Sequence, residues 1–112
     1  MDADRIVEMF AAFGPVVPRR MFSGLGIFSG GTMFALVVRG MLYLKADQHT
    51  VGAFEAEGLE PFGYMAKGRK RAVMSYWRAP DRLYDDADEL AVWARDALAA
   101  AYRSGSKRKS RR

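Results

Sequence analysis

Two short apolar segments joined by two residues constrain the fold of this chain more than any other feature. Residues 33–38 and 41–45 each have the length of a β-strand. Arg39 and Gly40 lie between them, and Gly40 can adopt the positive φ that a two-residue hairpin turn requires. The sequence therefore predicts a β-hairpin here, inside a larger sheet.

Both faces of this predicted hairpin are apolar. With Val38 opposite Met41, one face suits packing against helices and carries Ala35, Val37, Leu42 and Leu44. The other face carries Phe34, Leu36, Val38, Met41 and Tyr43. A sheet with one solvated face should alternate with polar residues, so something must cover this second face. We predict a homodimer formed through these five residues or the sheet margin; the alternative is that the helices divide between both faces of a monomer.

Periodicity and capping residues predict three helices, at residues 3–13, 47–57 and 87–102. Their N-cap candidates are Asp2 or Asp4, Asp47, and Asp86. Besides the central hairpin, strands are predicted at residues 18–28, 60–66 and 71–78, with a charged turn at 67–70. The order is αβββαββα, which predicts a two-layer α+β fold with helices packed on a five-stranded antiparallel sheet.

Basic residues are concentrated at the C-terminus. The net charge is +5, but the last ten residues hold six of the 18 lysines and arginines, which leaves 12 basic against 13 acidic residues in 1–102. We therefore predict one nearly neutral domain over residues 1–102 and a basic, flexible tail over residues 103–112. No apolar stretch is long enough to span a membrane and the acidic N-terminus does not resemble a signal peptide, so we expect a cytoplasmic protein.

Few residues in the sequence are candidates for catalysis or for binding a metal or cofactor. The chain has no cysteine and one histidine, His49, which excludes thiol nucleophiles and multi-histidine metal sites. Ser75 lies in a predicted strand without a base beside it, and Gly24-Leu25-Gly26 lacks the context of a phosphate loop. The acidic run Asp85, Asp86, Asp88 and Glu89 suits a helix start better than a cation site. We predict no catalytic residue, no metal and no cofactor.

Two basic groups are candidates for contacting nucleic acid. The first is the charged turn, with Lys67, Arg69, Lys70 and Arg71; its alternative is a solvated hairpin tip that deters edge pairing. The second is the tail, with Lys107, Arg108, Lys109, Arg111 and Arg112; its alternative is a solubilising role. The tail has no aromatic residue for base stacking, so it offers only sequence-independent attraction to phosphates.

Five segments in order resemble the N-terminal domain of the TfoX/Sxy family. They are RRMFSGLGI at 19–27, MFAL at 33–36, LYLKAD at 42–47, PFGY at 61–64 and MSYWRAP at 74–80. The resemblance spans about residues 6–100, nearly all of the predicted domain. Full-length TfoX proteins carry a second, C-terminal domain similar to helix-hairpin-helix modules, and here the basic tail stands in its place.

The resemblance implies an α+β fold with a five-stranded antiparallel sheet and no enzyme activity. It also implies a bacterial regulator of natural competence that assists the cyclic-AMP receptor protein, a transcription regulator, at promoters. We therefore expect a non-enzymatic regulatory or interaction module. Two alternatives stay open: a homodimeric protein-binding adaptor with no role at DNA, and a small enzyme.

Overall fold

The computed structural model describes residues 1–21 and 24–109, with the backbone alone for Tyr64, Met74 and residues 106–109. Three α-helices are present: α1 (Ala3–Met9), α2 (Val51–Ala56) and α3 (Ala87–Lys109). A short 3-10 helix (Asp81–Tyr84) precedes α3. The strands are β1 (Val17–Met21), β2 (Gly24–Ser29), β3 (Thr32–Val38), β4 (Met41–Lys45), β5 (Pro61–Ala66) and β6 (Arg69–Arg78).

The described strands form one antiparallel sheet in the order β1-β2-β3-β4-β6-β5. The α+β class and the antiparallel sheet are confirmed. The prediction of five strands is wrong because residues 18–28 form two paired strands, with Met21 opposite Gly24, instead of one interrupted strand. The order of elements therefore has four strands, not three, between α1 and α2.

The central hairpin has the predicted register. Val38 lies opposite Met41, and the turn residues Arg39 and Gly40 have φ angles of 52° and 76°. The later hairpin turns more tightly than predicted, at Lys67 and Gly68 alone, with φ angles of 53° and 75°. A two-residue turn with both φ angles positive matches the twist of the strands, so β6 begins at Arg69.

α1 and α3 begin where their caps predict and end elsewhere. Asp2 Oδ1 accepts a hydrogen bond from the Arg5 backbone N–H at 2.9 Å, and Asp86 Oδ1 accepts one from the Glu89 N–H at 3.0 Å. α1 ends at Met9, before the predicted end at residue 13. α3 continues to Lys109, past its predicted end at residue 102, and the flexibility of the basic tail stays a prediction.

Asp47 does not cap α2 as predicted. The helix begins at Val51, and Asp47 closes the turn before it. Asp47 Oδ1 accepts the His49 backbone N–H at 3.0 Å, while Thr50 Oγ1 accepts the Asp47 N–H at 3.0 Å. An aspartate that hydrogen-bonds to the residue two positions on stabilises a turn, so residues 48–50 stay outside the helix.

All three helices pack on one face of the sheet. The main core joins Ile6 and Phe10 of α1, Phe54 of α2, and the α3 residues Leu90, Ala94, Ala97 and Ala101. Its strand residues include the predicted Ala35, Val37, Leu42 and Leu44. The fold is therefore two-layered, and the alternative in which helices divide between both faces is wrong.

The other face has an apolar cluster whose central side chains are shielded from solvent by neighbouring side chains of the same sheet. Leu36, Val38 and Tyr76 are only 7%, 6% and 8% exposed. Partly buried apolar side chains pack around them from every strand but β2: Met21, Met33, Tyr43, Phe62 and Val73. Because neighbouring side chains provide the cover, the apolar pattern of this face does not by itself require a second chain.

Phe34 does not lie on that face, contrary to the prediction. It is fully buried on the helix side, with its ring centroid 5.6 Å from that of Phe10 and 5.1 Å from that of Phe13. The reason is a bulge between Ile27 and Phe28, where the register changes. A bulge breaks the two-residue alternation, so Phe34 and the next residue point to the same side.

Among the residues that the structure describes, no helix is both long and apolar enough to cross a membrane.

Candidate nucleic-acid interface

Four cations lie at the tip of the β5–β6 hairpin. Lys67 is in the turn, and Arg69, Lys70 and Arg71 follow in the first three positions of β6. All four residues are exposed. None of them forms an ion pair with a described residue. The structure thus places together the four hairpin cations that the sequence predicts.

Three arginines of the domain, Arg78, Arg82 and Arg103, are paired with carboxylates. Arg82 lies between Glu57 and Glu89, with Nη1 2.8 Å from Glu57 Oε1 and Nη2 2.7 Å from Glu89 Oε2. Glu89 also accepts a hydrogen bond from Trp93 Nε1 at 3.2 Å. The guanidinium lowers the pKa of both carboxyls, and they raise that of Arg82. The charge of Arg82 is therefore balanced by carboxylates, unlike the charges at the hairpin tip.

Arg103 fastens α3 to the segment that precedes α2. Its Nε lies 2.6 Å from Asp47 Oδ2 and its Nη2 lies 3.1 Å from Asp47 Oδ1, a two-point contact between residues 56 positions apart. Hydrogen bonds from Arg103 are the main reason that the pKa of Asp47 falls to about 2, and the His49 backbone N–H adds to the effect. In the sequence Arg103 falls within the predicted tail, and no sequence pattern indicates this contact.

Replacing Asp47 by Asn should lower stability at neutral pH and have less effect in acid. The pKa of Asp47 is about 2 in the folded chain against an ordinary 3.8, so its contribution is complete above pH 3.8 and is lost as pH falls toward 2. The difference in free energy of unfolding between wild type and Asp47→Asn should shrink over that range, measured by urea denaturation at several pH values. Arg103→Gln should remove the same pH dependence, and a difference that stays constant down to pH 2 would contradict the pairing.

The residues considered for catalysis or metal binding occupy structural or solvent-facing positions. A groove of about 720 Å³ lies between the end of β4, the turn before α2 and the far part of α3, and His49, Ser75 and Arg103 border it. His49 is exposed, and the nearest carboxylate in the turn, that of Asp47, is held by Arg103. No group of three or more histidine, aspartate or glutamate side chains in the described residues is placed to hold a metal ion.

The acidic run has two separate structural uses. Asp86 caps α3 and Glu89 binds Arg82, as expected of carboxylates at a helix start.

Gly24 and Gly26 lie in β2 and not in a phosphate loop. Gly24 faces Val38 across the ladder, and Gly26 lies beneath the side chains of Met21 and Met33.

The predicted dimer residues differ in accessibility. Phe34, Leu36 and Val38 are buried within the single chain, whereas Met41 and Tyr43 stay partly exposed. Tyr43 packs edge-on against Phe62, with ring centroids 5.0 Å apart. Only the last two of the five are therefore open to contact from outside.

The tail cations are only partly within the described structure. The backbone of residues 103–109 belongs to α3, which includes Lys107, Arg108 and Lys109. Their side chains, and Arg111 and Arg112 as a whole, lie outside the described part. The prediction that they contact nucleic acid stays a prediction.

A helical layer on one face of an antiparallel sheet, with every buried side chain of the described residues apolar, defines a two-layer α+β domain. Residues 8–101 match the model of the TfoX N-terminal domain, and the chain belongs to that family. A stretch of 64 residues is 33% identical to the DNA transformation protein TfoX1 of Aliivibrio fischeri (strain ATCC 700601 / ES114). That match covers 57% of this chain and 31% of the relative's length.

Proposed function

We propose that this chain is a non-enzymatic regulatory module that acts by binding macromolecules, in the control of competence genes and as a co-regulator of transcription. Membership in the TfoX N-terminal domain family supports a competence role, and one relative is named a DNA transformation protein. The observation that carries the binding role is the contrast in charge. The carboxylates around Arg82 and Arg103 are committed to ion pairs, while the four hairpin cations have no described partner.

The test is genetic and uses the 112-residue chain. Deletion of its gene in the cell of origin should lower the transcripts of DNA-uptake genes and the frequency of transformation, and the wild-type gene should restore both. His49→Ala and Ser75→Ala should complement as well as wild type, because neither side chain has a catalytic task in this proposal. Unchanged transcripts in the deletion strain would overturn the regulatory role, and failure of either alanine variant, folded normally, would favour an enzyme.

Capture of the tagged chain from its native cell, with and without nuclease, identifies the kind of macromolecule. Partners that disappear on nuclease treatment support action at DNA. A transcription regulator that is retained after nuclease treatment supports co-regulation through protein contact, and recovery of the chain alone under both conditions argues against the proposal.

A homodimeric adaptor is the second candidate, favoured by the partly exposed Met41 and Tyr43 beside the apolar cluster. Sedimentation equilibrium at micromolar concentration distinguishes the two states, and a mass near one chain rejects the dimer. If a dimer forms through this face, Met41→Asp and Tyr43→Asp should dissociate it. Val92→Asp, at a residue 50% exposed on α3, should leave it intact.

A further inference from the structure

The β5–β6 hairpin extends beyond the sheet as a two-stranded arm. Only the end of β6, from Tyr76 to Arg78, pairs with β4. The five pairs from Phe62 opposite Val73 to Ala66 opposite Arg69 have no third described strand beside them. At about 3.3 Å per residue this arm is roughly 13 Å long. Its base is fixed, because Phe62 and Val73 pack into the second apolar cluster.

The cations of the arm lie on both of its faces. Alternation along β6 places Arg69 and Arg71 on one face and Lys70 on the other. The Lys70 side chain lies along its face over Gly63, with Cε 3.0 Å from the position that a Cβ would occupy there. Lys67 adds a cation in the turn between the strands. The arm is therefore positively charged on each side and at its tip.

The arm is only two strands wide. Four of its residues beyond the base are small: Gly63, Ala66, Gly68 and Ala72. The major groove of duplex DNA is about 12 Å wide and admits a two-stranded β-ribbon, with phosphates along both walls. A membrane surface would meet cations on one side of the arm only, whereas a groove uses both sides.

We infer that the β5–β6 arm is a DNA-binding ribbon that enters the major groove and contacts phosphates on both walls through Lys67, Arg69, Lys70 and Arg71. This inference rests on the proposed action at DNA and identifies the element responsible. The contacts are to phosphates and not to base edges, so the binding is independent of sequence and sensitive to salt.

The test is fluorescence anisotropy of a labelled 20-base-pair duplex with the full chain at several salt concentrations. The arm variant carries Lys67→Asn, Arg69→Gln, Lys70→Gln and Arg71→Gln, with Asn in the turn because it tolerates positive φ. Four phosphate contacts contribute about −3.6 to the slope of log K against log salt, so each tenfold fall in salt concentration should widen the ratio of wild-type to variant affinity roughly 4,000-fold. Circular dichroism and thermal melting verify that the variant is folded.

A matched control removes four cations elsewhere: Arg5→Gln, Arg20→Gln, Arg39→Asn and Arg95→Gln. It has the same net charge as the arm variant and should keep most of the affinity and the slope. Equal losses in both variants, or no binding of DNA by wild type, would overturn the ribbon. The gene-deletion experiment tests the proposed function independently of the arm. A failure of the DNA-binding ribbon can therefore be distinguished from a failure of the proposed function.

Two further measurements test the choice of ligand and groove. Met65, 69% exposed on the arm, should be replaceable by Ser with no loss of DNA affinity. Netropsin, which fills the minor groove, should also leave the affinity unchanged, and its competition would overturn the groove assignment. Binding to phosphatidylserine vesicles in preference to duplex DNA, weakened by Met65→Ser, would overturn the inference in favour of a membrane surface.

Discussion

Gly24→Ala is expected to destabilise the fold by about 3 kcal/mol, because the added carbon has no space to occupy. A Cβ at Gly24 would lie 2.0 Å from the carbonyl oxygen of Val37 in the neighbouring strand. Backbone cannot rotate aside as a side chain can, so β2 must separate from β3 and lose ladder hydrogen bonds. Urea denaturation followed by circular dichroism measures the loss.

Gly26→Ala is the matched control for Gly24→Ala, two residues away in the same strand. There the added carbon would meet the sulfur atoms of Met21 and Met33, which end flexible side chains and can move. A clearly smaller loss is expected. Equal effects of the two substitutions would show that the loss of any glycine from β2, and not the close approach of Gly24 to Val37, lowers the stability.

Leu36→Asp is expected to lower the free energy of unfolding by about 4 kcal/mol, enough to unfold many domains of this size. Leu36 is 7% exposed in a cluster against which Met33 and Tyr43 pack, and no buried charged side chain is present among the described residues to pair with a carboxylate. Thermal melting of wild type and variant measures the difference. Leu36→Met, which preserves volume, should cost less than about 1.5 kcal/mol.

Met65→Asp tests whether the predicted loss comes from burial and not from the new charge. Met65 is 69% exposed, so this variant should change stability by no more than about 0.5 kcal/mol. A soluble, fully folded Leu36→Asp chain would contradict the cluster as described. Because Leu36→Asp disrupts the single chain, it is unsuitable as a test of dimer formation, for which Met41 and Tyr43 are the better positions.

Local chemistry made much of the fold predictable. Gly40 and the alternation around it predicted the register of the central hairpin, and Asp2 and Asp86 predicted two helix starts. The position of Phe34 was not predictable by alternation, because Phe34 is the extra residue of a bulge that the pairing of β2 with β3 determines. The split of residues 18–28 into two strands was missed because glycines inside a strand also indicate bulges.

The candidate site was predictable only where it is local in sequence. The four hairpin cations lie within five consecutive residues, so their proximity follows from one turn. The contact of Arg103 with Asp47 joins residues 56 positions apart, and that of Arg82 with Glu57 spans 25. Neither pair has a periodic signal, because any of several basic residues could have met any of several carboxylates. The continuation of α3 past residue 102 was also not predictable, because the contact of Arg103 with Asp47 in this part of the helix has no sequence pattern.

The main core has a consequence for synthesis on the ribosome. It includes Ile6 and Phe10, which are made early, and Ala97 and Ala101, which are made much later, on the same face of the sheet. Until the final helix has emerged from the exit tunnel, the nascent sheet has one apolar face without its cover. Such an intermediate is prone to aggregation. We therefore expect chains stalled before residue 90 to depend on a ribosome-associated chaperone and released chains to need none, a difference that crosslinking of arrested nascent chains can measure.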